Sequence, residues 1–86
     1  MRQLIRTPAQ VGQLLQGQRK RLGLSQTELG TRVGLSQKRQ SALELAPDRI
    51  TLDQLLRMLA ALDLELVIQD KAASQPTSQP GPSREW

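Results

Sequence analysis

A chain of 86 residues with net charge +4 and neither cysteine nor histidine holds one small domain, no disulfide, no cysteine metal site, and lacks the commonest general base. With tyrosine also absent, a catalytic constellation would need carboxylates and lysines alone, so neither an enzyme nor a cofactor is expected. No apolar run approaches the roughly 20 residues of a membrane span, and the opening MRQLIRTPAQ lacks the apolar stretch of a signal peptide, which points to the cytoplasm and to no membrane partner.

The first predicted helix opens with Thr7 as cap, Pro8 at the favoured first position and Gln10 closing a capping box. Val11, Leu14, Leu15 and Leu22 supply its apolar stripe, and Gly23 ends it. Gly17 lies inside this helix at a cost of about 1 kcal/mol relative to alanine, which a close approach would explain.

Residues 25–45, SQTELGTRVGLSQKRQSALEL, then read as two short helices hinged at one glycine. Ser25 caps the first and Glu28 completes its capping box. Leu29 and Val33 share a face at helical spacing. Gly34 stands where the turn needs a left-handed residue, and Ser36 caps the second helix, Gln37 to Leu45. The early turns of that helix carry Gln37, Lys38, Arg39, Gln40 and Ser41. Long polar and cationic side chains there suit a DNA-reading helix-turn-helix, whose second helix contacts bases from its N-terminal half.

Ala46-Pro47-Asp48-Arg49 breaks the pattern, because proline disfavours a helical residue before it. Thr51 caps a further helix with Gln54 three residues on, and Leu52, Leu55, Leu56, Met58, Leu59 and Leu62 form its apolar face. At 64–69, LELVIQ, the period changes to two: Leu64, Leu66 and Ile68 point one way, Glu65, Val67 and Gln69 the other. A lone strand needs a partner for its backbone. Either Gln3-Leu4-Ile5 or the same strand of a second copy supplies it. The second is favoured, since a helix-turn-helix reads paired half-sites as a dimer. An extension of the last helix is the other reading. From Lys71 the composition turns polar, with three prolines, as in a disordered tail. It closes on Trp86, the chain's only aromatic residue and a candidate anchor for a partner's pocket.

Charge is unevenly placed. Residues 1–24 carry Arg2, Arg6, Arg19, Lys20 and Arg21 without an acid, whereas 51–70 carry Asp53, Asp63, Glu65 and Asp70 against Arg57 alone. One surface facing a polyanion and another facing a different partner follow from that asymmetry. Lys20, Arg39 and Arg49, with Arg19, are the candidates for phosphates.

Over about 8–62 the chain resembles the Cro/repressor-type (Xre) helix-turn-helix family. Arg19, Gly23-Leu24-Ser25-Gln26, Glu28-Leu29, Gly34-Leu35-Ser36-Gln37 and Leu43-Glu44 carry the likeness. The resemblance implies that Gln26 contacts a phosphate. It also implies that Gln37 and Lys38, with Ser41 and Ala42, face the major groove, and that Arg19 pairs with Glu44 in a partly buried salt bridge. Gln40 departs from the family, which places Ile or Val there as core. It turns to DNA, or the helix is rotated, or the core takes up its stem. With its ends included, the chain looks like the HipB-type antitoxins, autorepressors that also bind a HipA-type serine/threonine kinase toxin. A stand-alone repressor or a protein-interaction module of the same fold are the alternatives.

The expectation is therefore an all-α bundle of four to five helices over 1–70. A C-terminal strand (Leu64, Leu66, Val67, Ile68) pairs across a homodimer, and a disordered tail over 71–86 carries a partner-binding Trp86. DNA contacts are expected from Arg19, Lys20, Ser25, Gln26, Ser36, Gln37, Lys38, Arg39, Gln40, Ser41 and Arg49, on double-stranded operator DNA.

Overall fold

The computed structural model describes residues 2–71, so the expectations of a disordered tail and a docking Trp86 lie outside the described residues. Within them the chain forms α1 (Pro8–Arg21), α2 (Gln26–Val33), α3 (Gln37–Leu45), a 3₁₀ turn (Pro47–Arg49) and α4 (Leu52–Ala61). The fold is the all-α helix-turn-helix bundle that the periodicity predicts. Each helix begins where a hydroxyl can satisfy a free backbone N–H. Thr7, Ser25 and Thr51 accept from Gln10, Glu28 and Gln54, whose side chains return the bond to the cap. Ser36 caps α3 alone, accepting from Arg39.

Three of the four helices end in the same way. The chain turns through the left-handed region at Gly23, Gly34 and Asp63. The N–H of the next residue then reaches back five positions: Leu24 to Arg19, Leu35 to Gly30 and Leu64 to Leu59, at 3.0, 2.7 and 2.8 Å. This is the Schellman arrangement, which occupies orphan carbonyls and folds a following apolar residue onto the helix. Leu24, Leu35 and Leu64 all pack against the core. Gln18 Nε2 adds a bond from α1 to the Leu62 carbonyl at the end of α4, 3.1 Å long.

Leu15, Leu29, Val33, Leu43, Met58, Leu59 and Leu62 make the buried centre, one leucine-rich cluster drawn from all four helices. The apolar stripes predicted from spacing are wider than this centre. Leu22, Leu52 and Leu56 are exposed, because Leu22 lies past the end of α1 and no element among the described residues covers that side of α4. Gly17 makes no close approach: a Cβ there would meet nothing within 4 Å.

Residues 64–70 leave α4 rather than extend it, and no strand forms among the described residues. Beyond Leu64, the side chains of Leu66, Val67 and Ile68 all stand in solvent. Arg2 NH2 donates to Gln69 Oε1 at 2.7 Å, which brings the two ends of the described chain together at that point. Leu64 departs from the expected alternation: its Schellman contact draws it into its own chain's core. No helix among the described residues is long and apolar enough to cross a membrane.

Candidate nucleic-acid interface

The two helices at the centre of the sequence are joined by a turn with little freedom. Gly34 has φ 82°, a conformation that a side chain would strain. Inside α2, a Cβ at Gly30 would lie 2.6 Å from the Leu35 carbonyl oxygen. The turn therefore folds directly over that glycine, and the angle between α2 and α3 depends on it. Immediately after the turn, Ser36 caps α3 and leaves Gln37, Lys38 and Arg39 exposed on its first turn.

Beneath this surface lies a carboxylate with four donors. Arg19 Nε sits 2.8 Å from Glu44 Oε2 and Arg19 NH2 sits 3.0 Å from Oε1, a two-pronged charge-assisted pair. Gln26 Nε2 donates to Oε1 at 3.1 Å, and Gln40 Nε2 to Oε2 at 3.2 Å. Arg19 NH1 is occupied as well, on the Leu24 carbonyl at 3.0 Å. One ion pair thus ties α1, the α1–α2 turn, α2 and α3 together. The network reaches the surface through one further bond, from Gln37 Nε2 to Gln26 Oε1 at 2.9 Å.

Two expected DNA contacts are corrected by these positions. Arg19 is 8 % exposed and its guanidinium donates inward from all three nitrogens, so it does not face a phosphate. Gln40 is 0 % exposed. It neither turns to DNA nor lies among apolar neighbours alone, since its amide nitrogen reaches Glu44 while its Oε1 is buried without a hydrogen-bond partner among the described residues. A signal for this was present: Gln40, Leu43 and Glu44 stand three and four apart, on one helix face. None of the three placements open to Gln40 from the sequence, toward DNA, on a rotated helix or with its stem in the core, includes Glu44 as the acceptor of its amide.

The other candidates lie outward. Lys20, Ser25, Ser36, Gln37, Lys38, Arg39 and Arg49 are exposed, and Gln26 and Ser41 are half-buried. Arg19, Lys20 and Arg21 fall in the last turn of α1, and the latter two, both exposed, add positive charge beside the turn. At the start of α2, the Ser25 backbone N–H and then its hydroxyl hold the Glu28 carboxyl below its ordinary value. That acid is engaged in the cap of α2. The arrangement can present an amide, an ammonium and a guanidinium side by side to a groove, on a helix whose angle is fixed from behind.

Comparison with known proteins agrees with this geometry. A helix-turn-helix family model matches residues 15–68. Antitoxin HipB of Escherichia coli K12 is 30 % identical over 84 residues, covering 98 % of this chain and 96 % of that protein. Antitoxin HipB of Escherichia coli O6:H1 (strain CFT073) is 27 % identical over 84 residues, covering 98 % and 89 %. Among solved structures, a HipB–O2 20mer complex matches with a TM-score of 0.75 at 30 % identity, over 83 % of this chain and 99 % of that one. A chain described as MDT Protein matches at 0.74 and 30 %, over 81 % and 99 %.

Proposed function

Because this chain belongs to the Xre-type helix-turn-helix family as a DNA-binding, HipB-type antitoxin, we propose that it acts in the cytoplasm as a dimeric operator-reading autorepressor that neutralises a HipA-type serine/threonine kinase toxin by complex formation. The observation that carries the DNA half is the exposed triplet Gln37, Lys38, Arg39 on a capped α3 backed by the Glu44 network. Each Gln37 amide nitrogen has two hydrogens. One is held by Gln26; the other, with Oε1, is left to pair with the N7 and N6 edge of an adenine. Lys38 suits guanine N7 and O6. Lys20, Arg39 and Arg49 fix register on phosphates, as do the hydroxyls of Ser25 and Ser36 at two helix N-termini.

The dimer is supported by the apolar side chains that 64–70 leaves in solvent. A second copy pairing there through Leu66, Val67 and Ile68 would satisfy the backbone of a segment that forms no strand among the described residues and set two α3 helices on a pseudo-palindrome. Toxin contact is assigned to the acidic rear face, with Asp53, Asp63, Glu65 and Asp70, or to the 71–86 tail with Trp86. The domain division at 70/71 belongs to the same reading.

The test is co-purification of the tagged chain with its DNA and proteins. Recovery of one promoter sequence together with a kinase is expected. DNA without a kinase would leave a stand-alone repressor, and a kinase without DNA an interaction module. On the recovered duplex, Lys38→Ala is expected to reduce discrimination by about 1–3 kcal/mol; equal weakening on a scrambled duplex would remove its base-reading role. Deletion of 71–86 separates the two toxin surfaces: retained kinase affinity assigns the contact to the acidic face.

A further inference from the structure

We infer that Gln40, a core residue that touches no groove, is a positioning residue for base readout, acting on Gln37 through Glu44 and Gln26. The inference rests on the DNA-reading function above. Gln37 and Gln40 stand three apart, one above the other on the same side of α3, yet one is exposed and the other fully buried. The hydrogen bonds nevertheless join them, from Gln40 Nε2 to Glu44 Oε2, from Gln26 Nε2 to Glu44 Oε1, and from Gln37 Nε2 to Gln26 Oε1, at 3.2, 3.1 and 2.9 Å.

Stability alone does not account for the amide. Its Oε1 is buried without a partner among the described residues, and an orphaned buried acceptor is destabilising where an apolar side chain of similar shape would carry no such penalty. What the amide supplies is a donor on the Oε2 side of Glu44. The guanidinium of Arg19 defines the plane of the carboxylate, while Gln40 and Gln26 oppose one another across its two oxygens. Without Gln40 the carboxylate is drawn towards Arg19 and Gln26 only. Gln26 then moves with it, and the amide of Gln37 is no longer presented at a fixed angle. Networks of this kind couple their members more strongly than their separate bonds would indicate.

The experiment measures affinity for a duplex selected by the wild-type protein from a random library, for a scrambled duplex, and the midpoint of thermal unfolding. Gln40→Leu is expected to unfold at the same or a higher temperature, yet to bind the selected duplex about tenfold more weakly, with binding to the scrambled duplex unchanged. In a Gln37→Ala background the same substitution should alter affinity by less than about twofold, since the two changes then act on one interaction. An unchanged affinity, or an equal penalty in both backgrounds, overturns the inference. Gln40→Met is the second variant should the leucine pack badly; a lower midpoint in both would mark Gln40 as structural only and also overturn it. Failure of the wild type to select any duplex would instead overturn the DNA-reading function, and this inference with it.

Discussion

Ser25 and Glu28 show how much a single reciprocal contact decides. The Ser25 N–H donates to Glu28 Oε1 at 2.8 Å and the Glu28 N–H to Ser25 Oγ at 3.0 Å. With its carboxyl held low by the Ser25 backbone N–H and then by the Ser25 hydroxyl, Glu28 contributes stability that is fully present above the ordinary carboxylate value. That contribution is lost as pH falls through the depressed value of the folded state. Ser25→Ala should lower stability by about 1 kcal/mol in denaturant titrations and bring the Glu28 titration, followed by NMR, back up towards the ordinary value. At this scale the sequence was legible wherever a residue's partner lies a few positions away. Thr7 with Gln10, Ser25 with Glu28 and Thr51 with Gln54 all form the boxes their spacing predicts. Gln40 was harder, because its burial depends on Glu44, which the family resemblance pairs with Arg19 alone.

Helix ends and crossings govern the next scale. Gly30 and Gly17 are both helical glycines, yet their surroundings predict opposite outcomes. Gly17→Ala should raise stability by about 0.5–1 kcal/mol, since the added methyl meets nothing within 4 Å and alanine is the better helix former. Gly30→Ala drives a methyl into the Leu35 carbonyl at 2.6 Å; the expected loss is about 1–3 kcal/mol, with weaker operator binding as α3 tilts. Thermal unfolding of the two variants beside wild type checks both signs. Periodicity located every helix, but it could not tell which part of an apolar stripe its own chain would cover. Leu52 and Leu56 keep helical spacing and still face outward. The Gly-Leu pairs at 23–24 and 34–35 announce their turns in the sequence, whereas Asp63-Leu64 performs the same turn without the glycine that would have marked it.

For the whole molecule the decisive quantity is the apolar surface left uncovered. Leu4, Leu66, Val67 and Ile68 are exposed near the Arg2–Gln69 bond, with Ile68 at 88 %; clusters of this kind mark interaction sites. Val67→Asp should weaken self-association by about tenfold or more in analytical ultracentrifugation, because a buried unpaired carboxylate is strongly disfavoured. Operator affinity should fall with it, while the helical signal is unchanged. The salt dependence of the remaining DNA binding should become shallower, as one reading head replaces two. Period-two alternation in LELVIQ correctly separated this segment from α4. The strand that the alternation predicts does not form among the described residues, since a strand needs a partner for its backbone.

Asp63 fixes the heading of the chain as it leaves α4. It is the sole non-glycine residue with positive φ among the described residues, at 63°, and a side chain confines that conformation to a far narrower well than glycine does. The segment that leaves α4 therefore does so along one heading, set by one residue beside a helix packed on the reading head. In a dimer joined through 64–70, the separation of the two α3 helices would then depend on position 63.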